Sequence, residues 1–321
     1  MDMHAGRHGL TRRQFLRLLA AAGLGGTLVS CSDGRSATPQ GERRAVPSPT
    51  GGQAYLAVAR GSDPRAITRA AVAAVGGMER FVESGDDVIV KPNICVDYRT
   101  YEYGATTNPH VVATLVELCL AAGAKRVRVM DTPFGGGPES AYARSGIADA
   151  VTAVGGVMEV MNRAKFRKTD IPQGRHIKSW PVYQDVLTAD VLINVPVAKH
   201  HSLARLSLAG KNLLGVVQNP NKMHVKLGQR VADLVSLVRP TLTVVDAVRT
   251  LMARGPTGGN LSDVRLTNTV VASRDIVAAD AYAATLFDLT GEDIGYVRTA
   301  ADMGLGTLDL QAVKLEEIAV G

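Results

Sequence analysis

Short apolar runs rich in Val and Ile recur along this chain, with segments of helical periodicity between them, and that alternation limits the fold more than any other feature. The runs fall at 54–60, 87–92, 126–131, 157–161, 190–196, 241–246, 267–273 and 315–320. Helical patterns occupy 64–82, 109–123, 228–238, 275–288 and 293–303. A strand that is apolar on both faces must be covered on both, so the pattern implies a mainly parallel sheet with helices on either side. The expected class is α/β, with residues 53–321 forming a single large domain.

Several of these runs end in polar residues. Lys91 and Asn93 follow "VIV", Asp131 follows "VRVM", Lys199 and His200 follow "LINVPVA", and Asp246 follows "TLTVV". The C-terminal ends of parallel strands share one edge of the sheet, where α/β proteins place ligand sites. These residues are therefore expected to meet in one crevice.

The segment 197–215, "VAKHHSLARLSLAGKNLLG", sharpens that expectation. It brings Lys199, His200, His201, Arg205 and Lys211 together without a carboxylate among them. Crowded cations repel, so acidic residues from elsewhere or a bound anion must offset them. Lys199, Lys211 and Lys91 suit a carboxylate or phosphate. His200 and His201 suit general acid/base work, because imidazole titrates in the useful pH range. Asp131 and Asp246 would orient a histidine or hold a metal. In extended chain the adjacent histidines point to opposite sides, and neither H-x-x-x-H nor H-E-x-x-H spacing occurs. A metal would have to combine one of them with His224, Asp131 or Asp246, and its identity is left unassigned.

Other segments add candidates. Asn108 is a helix N-cap with Pro109 in the first turn, and Thr106 and Thr107 lie beside a helix N-terminus that favours an anion. The turn "DTPFGGGPES" at 131–140 lacks both the G-x-G-x-x-G spacing and a Gly-Lys-Ser/Thr ending, which removes a nucleotide fingerprint. "GKNLLG" contributes Lys211 and Asn212, and Arg254 sits in a Gly-Pro loop that could close over the crevice.

The first residues read as an address. "TRRQFLR" carries the pair Arg12 and Arg13, and a short apolar run ends in "LVSC" at Cys31. That order is expected of a twin-arginine signal with a lipobox over 1–31, Cys31 being lipidated or the run simply cleaved. Residues 32–52, rich in Ser, Pro and Gly, would form a disordered linker. The expected location is periplasmic, or the outer face of the cytoplasmic membrane, with the export machinery as partner and membrane contact only through signal or lipid.

Charge and cysteine content narrow the function. The chain carries +6, of which residues 1–30 supply +3, and it has no Lys/Arg blocks interleaved with aromatics, so a nucleic-acid role is not expected. After Cys31 only Cys95 and Cys119 remain, too few for a four-cysteine iron–sulfur cluster; whether they pair is open.

Taken in order, "KPN", "GATTNPHVVATLVELCLAAGAKRVRVMDTP", "VLINVPVAKHHSLARLSLAGKNLLG", "RPTLTVVDAVRTLMARGPTGG" and "VVASRDIVAADAYAA" resemble the domain of unknown function 362 family over most of residues 86–285. The resemblance implies that Lys91, Asn93, Asn108, Asp131, Lys199, His200, Lys211, Asn212, Asp246 and Gly255 are motif positions, with no role attached. Some relatives carry a ferredoxin-like module with cysteine clusters, which this chain lacks. The family is also distantly similar to the nickel-dependent lactate racemase fold, which implies a small anionic substrate by analogy of fold.

The functional expectation is an exported enzyme acting on a small anionic substrate in a Lys/His/Asp crevice. A non-catalytic anion- or solute-binding lipoprotein is the alternative, and a scaffold whose basic loop covers a partner is a third.

Overall fold

The apolar runs become strands, and the computed structural model describes residues 55–321. The leader, lipobox and linker assigned to residues 1–52 lie outside the described residues. The strands are β1 (Leu56–Arg60), β2 (Asp87–Pro92), β3 (Arg126–Val129), β4 (Val157–Met158), β5 (Phe166–Asp170), β6 (Ser179–Tyr183), β7 (Val191–Val195), β8 (Val197–His201), β9 (Arg205–Ser207), β10 (Leu242–Leu251), β11 (Val264–Ser273) and β12 (Leu315–Ala319). The helices are α1 (Pro64–Ala74), α2 (Pro109–Ala121), α3 (Pro138–Arg144), α4 (Ile147–Ala153), α5 (Asp185–Thr188), α6 (Ala209–Asn212), α7 (Leu227–Val238), α8 (Ile276–Thr285) and α9 (Gly295–Asp302).

Ten strands make one sheet in the order β12-β1-β11-β10-β7-β2-β3-β4, with β8 pairing to β10 and β9. The run β10-β7-β2-β3-β4 is parallel throughout, and β11 is antiparallel to both β1 and β10. The sheet is therefore mostly parallel but mixed. β5 and β6 form a separate antiparallel pair.

Side-chain alternation divides the interior into two cores, as a period of two requires. Val88, Val90, Val191, Ile193, Val244 and Val270 pack on one face with α1, α2 and α4. Ile89, Leu192, Val245 and Val271 pack on the other with α7, α8 and α9. Both faces are covered, as the apolar strands demanded.

Three sequence readings are corrected. Helix 64–82 stops at Ala74, because Gly76 and Gly77 adopt φ of 110° and 80°, left-handed values that glycine tolerates. Strand 157–161 shrinks to two residues at the sheet edge, where Glu159 turns to bind Arg128. The strand read at 190–196 does not end the ladder, because residues 197–201 form a further strand. Pro196 interrupts the run, since it has no N–H for the ladder, and the chain resumes as β8. β10 follows, pairing with β7 at Leu242 and Thr243 and with β8 from Asp246 onward. The sheet thus extends beyond its expected edge as a wall.

At the opposite edge, Arg128 is only 6% exposed and bridges Asp87, Glu159 and Asp185 at 2.8, 3.2 and 2.6 Å. Burial pushes the Asp87 and Asp185 carboxyls up, but the hydrogen-bonded cations outweigh it and hold both below the usual carboxylate range. Depressed carboxyls stabilise the fold above their unfolded pKa and lose that contribution as pH falls through the folded value. Arg128→Ala removes the shared cation but leaves Asp87 with Arg126, and Glu159 and Asp185 with Lys165, so it is expected to cost about 1–2 kcal/mol. Thermal unfolding at neutral pH checks this, and the wild-type melting temperature should drop steeply as pH falls below about 4.

Candidate functional site

Beyond the C-terminal ends of β2, β3 and β7, a cavity of about 160 Å³ opens between the β8–β9 wall, α6 and the loop after β3. Asn93, Asp131, Lys199, His201, Lys211 and His224 are among its lining residues. Its remaining lining is largely apolar, including Ile94, Leu208, Leu214 and the exposed ring of Phe134.

Its floor is a buried ion pair. Lys91 and Asp131, each with a side chain 1% exposed, meet at 2.7 Å. Parallel register sets Lys91 beside Asn194 of β7, and β3 delivers Asp131 two residues after Val129, which lies level with Val90. The Asp131 carboxylate also accepts hydrogen bonds from Ile94 N at 2.7 Å and Thr132 N at 2.9 Å. Lys91 Nζ donates to Pro92 O and to Asn212 Oδ1 at 2.8 and 3.0 Å. Asn212 Nδ2 donates to Asn194 Oδ1 at 2.8 Å, and Asn194 Nδ2 donates to Ala209 O at 3.0 Å. Burial pushes the Lys91 ammonium down, and the Asp131 carboxylate counteracts it. Gly215 packs directly on the pair, where an added Cβ would lie 2.0 Å from Asp131 Oδ1 and 2.7 Å from Lys91 Nζ.

Above this floor stand two further lysines with no carboxylate of their own. Lys199 is 2% exposed, and its Nζ donates to Asn93 Oδ1 at 2.7 Å and to Ala105 O at 2.6 Å. An ammonium has three donors, so one remains. Lys211, on α6, makes no hydrogen bond or ion pair among the described residues. Burial and the neighbouring Lys199 ammonium push Lys211 down to about 8, opposed by Cys95. Cys95 Sγ lies 3.6 Å from Pro256 O in the same lining.

The two histidines separate as extended chain requires. His201 is buried and lines the cavity, and its ring stacks on His224 at 6.0 Å between centroids. Its Nδ1 accepts from Leu203 N at 3.1 Å and Ala204 N at 3.3 Å. Nδ1 is thereby committed to the turn, and the ring proton sits on Nε2. Burial, then Lys211, His224 and Lys199, push His201 down to about 3. That corrects the expectation of an imidazole titrating near neutrality; His201 is a neutral donor. His200 turns away from the cavity, and its Nδ1 accepts from Gly255 N at 3.1 Å.

Other candidates are used by the backbone. Asp246 is fully buried and accepts from Asn108 N at 2.7 Å and Val248 N at 3.0 Å. Burial pushes it up to about 6 against those donors. It supplies the negative charge at the start of α2, where the sequence had suggested a bound anion. Asn108 caps α2 by accepting from His110 N. Thr107 Oγ1 accepts from Asn93 N and donates to Val195 O, and Thr106 Oγ1 accepts from Cys95 N. Arg254 is exposed and ion-paired to Asp263. Among the described residues no cluster of three or more His, Cys, Asp or Glu side chains is placed to hold a metal. Cys95 and Cys119 are separate buried thiols.

Asp280 escaped sequence analysis. It accepts from Ala209 N at 2.6 Å and Gly210 N at 2.9 Å, so it anchors the start of the short helix that carries Lys211 and Asn212. Burial pushes it up to about 7. A carboxylate inside the apolar run "IVAADAYAA" was the available signal. Asn194, an amide inside "DVLINVP", was another.

Two comparisons concern individual proteins. The chain is 27% identical over 242 residues to the thylakoid-associated protein sll1697 of Synechocystis sp. (strain ATCC 27184 / PCC 6803 / Kazusa), covering 72% of each. The lactate racemase apoprotein of Thermoanaerobacterium thermosaccharolyticum superposes with a TM-score of 0.46 at 10% identity, over 68% of this chain and 54% of that one. The family model described as domain of unknown function (DUF362) matches residues 88–285, the span that holds the ion pair, both cavity lysines and Asp280, and the chain belongs to that family.

Proposed function

We propose that the protein is an enzyme acting on a small anionic substrate held in the cavity by Lys199 and Lys211. One observation carries this reading. Both ammonium-bearing side chains line a cavity in which Asp131 is the only carboxylate among the described lining residues, and Asp131 is already neutralised by Lys91. The positive charge has no internal answer, so a guest must supply it. Size agrees, because the cavity's 160 Å³ is close to the ~150 Å³ void that holds a benzene-sized molecule. A carboxylate or phosphate of that size would bind the free donor of Lys199 and the unpaired Nζ of Lys211, with His201 Nε2–H as a neutral third donor. Lys211, near 8, is the group whose proton moves at useful pH, and it replaces the histidines as acid/base. A non-catalytic binding protein would need the same cations but no group poised to exchange a proton.

The cavity is further proposed to face the exterior of the cytoplasmic membrane, held by a lipid on Cys31 after twin-arginine export. The order of Arg12, Arg13, apolar run and Cys31 supports this, and so does a relative named as thylakoid-associated.

Isothermal titration with small carboxylates and inorganic phosphate tests the anion reading. Lys211→Met or Lys199→Met should weaken binding by about 10- to 100-fold, the loss of one charge-assisted hydrogen bond. Anion binding favours the charged form of Lys211, whose value of about 8 is depressed, so affinity should hold below that pH and fall up to about tenfold per unit above it. Affinity that is indifferent to both lysines ends the proposal.

Enzyme and binder separate in His201→Gln. An amide retains a donor, so ligand affinity should stay within about threefold, whereas turnover of a true substrate should drop by at least about tenfold if the imidazole helps position it. Tight binding of small anions by the wild type with no turnover of any of them favours the binder. For location, replacing Arg12 and Arg13 by Lys should retain the protein in the cytoplasm, and Cys31→Ser should release an exported soluble form, read by fractionation.

A further inference from the structure

Lys211, half-buried, differs in kind from the buried cations Lys91 and Lys199. Lys91 is saturated by Asp131, Pro92 O and Asn212, and Lys199 gives two of its three donors to neutral oxygens. Lys211 Nζ has no hydrogen-bond or ion-pair partner among the described residues, although its half-buried side chain lines the cavity. Its helix is fixed at the start by Asp280 and at the end by Asn212, which is tied to Lys91 and Asn194. Arranging so many contacts to hold a helix of four residues, while leaving its one amine unused, positions that amine for something else.

A partly desolvated amine beside another cation keeps a sizeable neutral fraction and is a nucleophile toward carbonyl carbon. Lys199 supplies the neighbouring charge, and Ile94, Leu208 and Leu214 the apolar walls. A free donor on Lys199 and the His201 Nε2–H stand in the same lining to receive a carboxylate and a carbonyl oxygen. A plain anion site requires only charge; this one also offers a free amine.

We propose that Lys211 forms an imine with the carbonyl carbon of a small oxo acid whose carboxylate is held by Lys199. This rests on the anion reading above and narrows its substrate class from anions in general to those bearing an aldehyde or ketone. The neutral Nζ attacks the carbonyl carbon and an N–C bond forms, while the C=O π pair moves to oxygen. Both Nζ protons leave with that oxygen as water, and the imine takes one proton from solvent to become an iminium. No oxidant or other co-reactant is needed. The iminium draws electrons from the adjacent carbon, which opens proton abstraction or C–C cleavage there.

Borohydride trapping tests this on the full chain. Incubation with pyruvate and sodium borohydride should convert the iminium to a stable secondary amine, adding the mass of one reduced pyruvate unit, and peptide mapping should place it on Lys211. Propionate, which has the carboxylate but no carbonyl, should compete and leave no adduct. Lys199→Met should raise the pyruvate concentration needed for half-labelling without moving the labelled position, and Lys211→Met should abolish labelling. An adduct spread over surface lysines, or on Lys199, overturns the proposal. If propionate protects Lys211 against acetylating reagents but pyruvate yields no adduct, the imine is wrong and the anion site stands. If neither compound protects, both readings fall.

Discussion

The contact between Lys91 and Asp131 is the constraint on which the site depends. Two opposite charges sit where water is excluded, and each is made tolerable only by the other and by a full set of hydrogen bonds. Such a pair contributes little net stability, yet losing one member strands a buried charge. Its geometric consequences are larger. It joins the ends of β2 and β3, pins Asn212 and with it α6, and takes Gly215 as a neighbour because any side chain there would collide with it.

By consuming Asp131, the pair also decides the charge of the cavity above it. Neither Lys199 nor Lys211 then has an ion-pair partner among the described residues, and burial, followed by the Lys199 charge, lowers Lys211. His201 is driven further in the same direction by its burial and then by charges beside its ring, Lys211 and Lys199 among them. A cluster that reads as a general acid/base centre from residue types becomes two lysines and a neutral imidazole donor.

The extended sheet explains how these groups come to face one another. Pro196 breaks the ladder without ending the strand, and β8 runs on beside β10. Lys199 and His201, two apart, therefore share a side, and His200 goes to the other, where it meets Gly255. An added Cβ on Gly255 would sit 1.8 Å from His200 O, so that approach depends on glycine. Asp246, one strand over, is turned into the backbone at the start of α2 and leaves the cavity to the lysines.

Much of the architecture was legible in the chain itself. Near-continuous apolar runs, set between helical patterns, determine a doubly covered and largely parallel sheet, because only that arrangement removes both faces of such strands from water. The polar residues after those runs determine that charged groups gather at one edge. Lys91, Asp131 and Lys199 are legible on that basis, and Lys211 and Asn212 from the carboxylate-free segment that follows. What the chain could not specify is partnership. Lys91 and Asp131 lie 40 positions apart and Lys211 lies 80 beyond, so which lysine receives the carboxylate depends on strand order and register. Asp246 and Asp131 look alike after a strand, yet one meets backbone N–H groups and the other an ammonium. Folding decided that difference, since charge acts through space at distances of a few ångströms that sequence separation does not measure.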